Sequence, residues 1–148
     1  MSDHVLLPHW PVRTIAALAT TDGTPHVIPV SAPVRIGHEG MLLSLHRTRD
    51  SLARLRRCPD VALLVLAEGD VAFTARGTAR VVDDSLAVAP DYAAVEIVVT
   101  AVDDHRQPGF VVNEGVGRTW LDEGEQRALG VRVSALQLVA SATAEVVA

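Results

Sequence analysis

Short apolar runs separated by turn residues dominate the first half of the chain, and they predict strands. Residues 14–20 and 61–67 are almost wholly apolar, as buried strands are. Residues 71–82 alternate instead between apolar or small positions and polar ones, which predicts a long antiparallel strand with one solvated face. The turn sequence of residues 22–25, Asp-Gly-Thr-Pro, joins residues 14–20 to residues 26–32 as a hairpin.

Two residues inside these predicted strands carry expectations of their own. Pro29 lacks the amide hydrogen that a β-ladder needs, so residues 26–32 should lie at a sheet edge or contain a bulge. Gly77 stands in the middle of residues 71–82 and predicts a bulge or a close approach to a neighbour.

The remaining strand signals are weaker. Residues 34–36 and 41–46 predict a second hairpin, and the β-branched residues 93–102 predict another strand. Residues 131–139 fit either a last strand or the tail of a helix. The pattern indicates a single, mainly β domain spanning residues 1–148, with six to eight short strands in an antiparallel barrel or sandwich.

Composition excludes several classes of protein. The chain has 148 residues, 49% of them hydrophobic, and a net charge of −5, which argues for a globular fold and against a general nucleic-acid binder. The longest apolar runs are strand-sized, so we expect no membrane span. All thirteen basic residues are arginine, which excludes Schiff-base and Ser-Lys chemistry. Cys58 is alone and forms no internal disulfide, so we expect a cytoplasmic protein.

The histidines show no metal-binding pattern. None of the six is paired at a spacing such as H-E-x-x-H, and a single cysteine gives no zinc site, so we expect no metal. The six are His4, His9, His26, His38, His46 and His105.

Positive charge is concentrated in one place. Five arginines fall between Arg47 and Arg57, around a predicted helix of residues 49–57 that ends before Pro59. Such a cluster beside a buried strand fits an anion site, most simply for a phosphate. The alternative is that these arginines form the solvated face of an amphipathic helix.

The order of four segments resembles a known family. Residues 13–20, residues 22–31, residues 55–65 (LRRCPDVALLV) and residues 76–84 (RGTARVVDD) are similar, in sequence and spacing, to the pyridoxamine 5'-phosphate oxidase-like flavin-binding proteins. The resemblance covers residues 12–84, about half of the chain. It implies a six-stranded antiparallel split barrel, the FMN-binding split barrel, with a few short helices.

The family also implies an assembly and a ligand. Its members are homodimers with two flavin sites in grooves between the subunits, where the phosphate is held near the turn before the helix. The isoalloxazine ring lies along the strand that matches residues 26–31, mostly on backbone atoms. Carried over to this chain, the resemblance implies that FMN is held by Val30, Ser44, His46, Arg47, Thr48, Arg49, Ser51 and Trp120.

Ser51 and Trp120 differ from the other residues of this set. The family often has a basic pair two residues apart, which here falls on Arg49 and Ser51, so that a neutral hydroxyl replaces the second charge. Arg47 or Arg54 can compensate. Trp120 is the candidate for stacking on a flavin ring from the partner subunit, although an aromatic residue at this place also fits a purely structural role in the dimer interface.

The resemblance therefore implies an oxidoreductase that uses FMN or the deazaflavin F420. Such a protein transfers a hydride to or from a small molecule, and the cofactor carries the chemistry, so no side chain is assigned a catalytic role. Two alternatives stay open. The chain is a dimer that binds a cofactor without catalysis, or it is a haem-binding member of the same fold.

Overall fold

The chain forms one antiparallel sheet of seven strands and two helices. The structure is a computed structural model that describes residues 5–147, with side chains as far as Ala142; His4 lies outside the described residues. In chain order the elements are β1 (Ile15–Thr20), β2 (His26–Ser31), β3 (Val34–Ile36), β4 (Gly40–His46), α1 (Asp50–Arg57), β5 (Asp60–Ala67), β6 (Val71–Asp83), β7 (Tyr92–Asp104) and α2 (Glu123–Val147).

The strands follow the order β2-β1-β5-β6-β7-β4-β3, and every pair is antiparallel. The sheet curls into a half-barrel around one apolar interior. Alternate residues of the strands and the inner side of α1 fill that interior, because successive side chains of a strand point to opposite faces. The largest fully buried members are Leu18, Met41, Leu43, Leu55, Leu63, Val65, Phe73, Val95 and Ile97.

Helix α2 packs on the outside of the sheet. Leu129, Val133, Leu136 and Ala140 recur at helical spacing, and they contact the outer faces of β4 and β7 and the segment around Ala32. Residues 131–139 are therefore helix, which confirms the second of the two alternatives for this segment and excludes a last strand.

The number of strands and the length of the helices also differ from the expectations. The sheet has seven strands where the resemblance implied six, because the three-residue β3 pairs with β4 as a strand of its own. The helices are not both short, since α2 runs for 25 residues. Helix α1 begins at Asp50, with Arg49 as its N-cap, and ends at Arg57, close to the predicted 49–57.

The expectations for proline and glycine are confirmed. Strand β2 is an edge of the sheet, and Pro29 lies within it opposite Ala17 in an unbroken register. The register between β6 and β7 shifts between Arg76 and Gly77. A methyl group on Gly77 would collide with the carbonyl oxygen of Val98, so the bulge and the close approach occur together.

Within the described residues, no helix is long and apolar enough to cross a membrane.

Candidate functional site

The candidate site is the turn that joins β4 to α1. Leu43 and Leu45 of β4 point into the barrel interior, so Ser44 and His46 lie on the opposite, outer face. Ser44 is buried and His46 is half-buried, whereas the next three residues, Arg47 to Arg49, are exposed. The alternation of β4 thus brings a polar end of the strand to the base of an arginine-rich turn.

Hydrogen bonds hold His46 in one orientation. The backbone N–H of Thr48 donates to His46 Nδ1 at 3.3 Å, and the Thr48 hydroxyl lies 2.7 Å from the same atom. Since an amide can only donate, Nδ1 is an acceptor, and in the neutral ring the hydrogen is on Nε2. The ring edge of Tyr92 packs on the other side, with 5.2 Å between ring centroids. The Nε2 hydrogen has no hydrogen-bond partner among the described residues, and His46 lines the cavity beside the turn.

Three of the five clustered arginines have structural partners. Arg54 donates to Asp50 Oδ2 at 2.8 Å and to the carbonyl oxygens of Asp22 and Thr24. Arg56 pairs with Asp84 at 2.7 Å, and Arg57 with Asp22 at 2.6 Å. These three tie α1 to the β1–β2 turn and to the segment after β6. Arg54 is thus already engaged and is not free to replace the missing basic residue at position 51.

Arg47 and Arg49 differ from the other three. Neither forms an ion pair or a side-chain hydrogen bond with any residue that the structure describes, and both are exposed. The backbone of the turn is nevertheless fixed, because Arg47 N–H donates to Asp91 O at 2.8 Å and Arg49 N–H to His46 O at 2.9 Å. Two free guanidinium groups on an ordered turn, at the start of a helix without a side-chain cap, are suited to bind an anion.

A cavity of about 620 Å³ opens beside this turn. Four cationic or polar side chains that line it come from the end of β4, the turn and α1, and the carboxylates of Asp84 and Asp91 line it as well. Asp84 is neutralised by Arg56, whereas Asp91 is exposed. The lining residues are His46, Arg47, Thr48, Leu52, Arg56, Asp84 and Asp91. Ser44, Arg49 and Ser51 are neighbours of these residues in the sequence, but they do not line the cavity.

Ser51 is buried in the first turn of α1. Only 1% of its surface is exposed, and its Oγ has no hydrogen-bond partner in the described part of the chain. A buried hydroxyl without a partner is uncommon and costs free energy. Beside it, a hydrogen bond from Arg54 holds the pKa of the Asp50 carboxyl below its usual range, so Asp50 keeps its charge.

Val30 and Trp120 lie apart from this turn. Val30 points into the barrel interior, and only the backbone of β2 at that position can reach a ligand outside the barrel. Trp120 packs against the small cluster of Ala32, Leu129 and Val133, and Arg118 lies 5.3 Å from its ring centroid. Within one subunit, the structure does not bring Trp120 to the arginine turn.

Three residues near the site were not identified from the sequence. Asp91 and Tyr92 follow an irregular segment, and Arg132 of α2 stacks on Tyr92 with its Cζ 4.0 Å from the ring centroid. The Nε of Arg132 is buried and has no partner among residues 5–147. Alternation along β7 could have suggested Tyr92, but only the packing of α2 reveals Arg132.

The described residues form no candidate metal site. Across the described ranges, no group of three or more His, Cys, Asp or Glu side chains is placed to hold a metal ion.

Comparison with known proteins identifies the fold. No family model matches the chain, and no curated protein matches its sequence. Among solved structures, an F420 reductase shares 21% identity and a TM-score of 0.53, covering 64% of this chain and 92% of its own. HupZ from Group A Streptococcus shares 12% identity and a TM-score of 0.55, covering 70% of this chain and 90% of its own.

A third solved structure, from Listeria innocua, is provisionally described as a pyridoxamine 5'-phosphate oxidase. It shares 14% identity and a TM-score of 0.54, and covers 64% of this chain and 90% of its own. Identities this low establish the architecture and not the activity. The chain has the split-barrel fold of the pyridoxamine 5'-phosphate oxidase-like proteins.

Proposed function

We propose that the chain is a cytoplasmic homodimeric oxidoreductase of the pyridoxamine 5'-phosphate oxidase-like family, which uses FMN or the deazaflavin F420 to transfer a hydride to or from a small molecule. One observation carries the proposal. In a split barrel, the turn before α1 presents Arg47 and Arg49 without partners among the described residues, while Arg54, Arg56 and Arg57 are paired.

The turn fits a phosphate in charge and in hydrogen bonding. Arg47 and Arg49 supply guanidinium donors, and the Nε2–H of His46 supplies a neutral one. The exposed carboxylate of Asp91 opposes an anion and has to be outweighed by the two arginines. The unpartnered hydroxyl of Ser51 is a further donor, provided that a ligand or a shift of the α1 start exposes it.

The edge strand β2 fits the ring of the cofactor. Its outer side carries no neighbouring strand among the described ones, so backbone groups near Val30 can bond the ring while the Val30 side chain stays in the core. A bound flavin or deazaflavin supplies the hydride-transfer chemistry there, and the protein orients it and excludes water. Val27, Ile28 and Pro29 also line an apolar groove of about 340 Å³, which continues over β1 and β5.

The choice between FMN and F420 rests on indirect support. The FMN assignment is supported by the phosphate-sized turn, and the F420 assignment by the similarity to an F420 reductase. The replacement of the family's second basic residue by buried Ser51 instead favours a dimer that binds a cofactor weakly or without catalysis.

Absorbance spectroscopy of the purified protein, followed by titration with each cofactor, tests the proposal. We expect purified protein to bind FMN or F420, seen as a flavin or deazaflavin absorbance that stays with the protein on gel filtration. Titration of the apoprotein with each compound then ranks the two. A Soret band after addition of haem, with no binding of either flavin, would replace the proposal by haem binding. Binding of none of the three would overturn the cofactor assignment altogether, including the alternative of a dimer that binds a cofactor without catalysis.

A further inference from the structure

A second cavity lies between the N-terminal segment, strand β3 and helix α2. Its volume is about 480 Å³. Trp10 and Arg13 of the N-terminal segment, Arg35 of β3 and Val133 of α2 are among the residues that line it. It shares none of its described lining residues with the cavity at the β4–α1 turn.

The ionisable side chains that line this second cavity are all basic among the described residues. Arg13, Arg35 and His9 line it, and no carboxylate does so among the residues for which side chains are described. Arg35 donates to the carbonyl oxygen of Leu7 at 2.8 Å and lies 3.2 Å from Nδ1 of His38, so its partners are neutral. In a protein with a net charge of −5, uncompensated arginines in a concave site are an unusual concentration of positive potential.

A third arginine adds to this potential. Arg118 reaches back from the segment before α2, and its Nη2 donates to the carbonyl oxygen of Arg13 at 3.3 Å and to Ser31 Oγ at 3.1 Å. Burial, and then the nearby charge of Arg13, lower the pKa of Arg118. Neither Arg13 nor Arg118 forms an ion pair within the described part of the chain. An anion between them would relieve their mutual repulsion.

Part of the cavity wall is apolar. The indole N–H of Trp10 donates to Pro33 O at 2.7 Å, which satisfies its only polar atom and leaves ring carbons to face a ligand. Val34 and Val133 line the cavity as well. Arg13 has a φ of 70°, a left-handed conformation that is strained for a residue other than glycine and that is found preferentially at ligand sites.

We propose that this cavity binds a small organic carboxylate, with its apolar body against Trp10 and Val133 and its carboxylate on Arg13 and Arg35. The proposal does not rest on the β4–α1 turn, because this cavity shares no described lining residue with the cavity at that turn. It therefore stands or falls without the assignment of a flavin.

The test is calorimetric titration of the full chain with benzoate, acetate and inorganic phosphate. We expect benzoate to bind more tightly than acetate or phosphate, because only benzoate fills the apolar part of the cavity. Arg13→Gln should lower benzoate affinity about 10- to 100-fold, since it removes a charge-assisted contact. The matched control is Arg127→Gln, an exposed arginine of α2 outside the cavity lining, which should leave the affinity unchanged.

A second variant protects the test against misfolding. Gln137 is exposed on α2 and lines the cavity, so Gln137→Glu should fold normally and weaken benzoate binding through repulsion. Phosphate binding as tight as benzoate binding, an undiminished affinity in both Arg13→Gln and Gln137→Glu, or no benzoate binding would each overturn the proposal. A loss of benzoate affinity in Arg49→Ala equal to that in Arg13→Gln would overturn its independence from the β4–α1 turn.

Discussion

Arg57 donates its Nε hydrogen to Asp22 Oδ2 at 2.6 Å and so ties the end of α1 to the turn between β1 and β2. This pair shows why sequence position alone does not define an anion site. Arg57 and Arg49 belong to the same basic cluster, yet Arg57 already has a carboxylate and Arg49 has none within the described residues. The two arginines therefore provide a matched comparison.

Arg49→Ala should weaken FMN binding, because it removes a charge-assisted contact worth about 1.5–3 kcal/mol, or about 10- to 150-fold in affinity. Arg47→Ala should act in the same direction. Arg57→Ala, which removes an exposed ion pair, should leave FMN affinity unchanged and alter stability by at most about 1 kcal/mol. The measurement is fluorescence quenching of FMN, and equal affinities in all three variants would contradict the clamp.

Ser51→Lys should destabilise the fold. A lysine at a position with 1% exposure has to bury its charge or displace α1, and we expect a loss of about 2 kcal/mol or more in the free energy of unfolding. Restoring the family's second basic residue by this substitution should therefore fail to tighten FMN binding. Urea unfolding and FMN titration of the same variant check both expectations; tighter binding with unchanged stability would show Ser51 at the surface of the site.

Ser51→Ala separates ligand contact from folding. Its Oγ has no partner in the described residues, so the substitution should leave the free energy of unfolding unchanged or raise it slightly. If the hydroxyl contacts a phosphate, FMN affinity should fall by about 0.5–1.5 kcal/mol. An unchanged affinity would remove Ser51 from the site and leave the phosphate to Arg47 and Arg49.

The protein should be a homodimer with a mass of twice 15.7 kDa at micromolar concentration. The outer faces of β1, β2 and β5 expose an apolar surface that includes Val27 and Leu66, at 61% and 40% exposure, and such surfaces are commonly covered by a second subunit. Val27→Glu should shift the mass toward the monomer. Val88→Glu, at a site 59% exposed outside this surface, is the control. A monomeric wild-type protein in light scattering would contradict the prediction.

Gly77→Ala should destabilise the barrel by about 1–3 kcal/mol, because the added methyl group collides with the carbonyl of Val98 and forces β6 and β7 apart. Gly117→Ala should change stability by less than about 0.5 kcal/mol, since no described atom lies within 4 Å of the added carbon. Chemical denaturation of the two variants gives the comparison. Equal stabilities would show that β7 moves freely around the bulge.

The strands and α1 could be predicted from the sequence, whereas for α2 the sequence leaves both a strand and a helix open. Strands β1, β2, β5 and β6 have continuous or alternating apolar residues, and α1 has Leu52 and Leu55 at helical spacing before a proline. In α2, Val131, Val133 and Val139 occupy alternate positions, as the residues on one face of a strand do. The helical face is formed by Leu129, Val133, Leu136 and Ala140, and it becomes evident only once β4 and β7 provide the surface that it covers.

The candidate site was predictable as a location and not as a set of contacts. The sequence concentrates five arginines beside β4, but their partners Asp22 and Asp84 lie 28 to 35 residues away. Only folding shows which arginines are paired. The same holds for the second cavity, which Arg13 and Arg35 line from separate segments of the chain.

Pro29 also affects how readily the open edge of the sheet at β2 pairs with another extended chain. An exposed edge strand offers its amide groups to any other extended chain, and this is a common start of aggregation. Pro29 has no amide hydrogen, yet the register between β1 and β2 is unbroken around it, as is usual for a proline in an edge strand. A proline in the edge strand thus makes this edge a poorer template for a fibril.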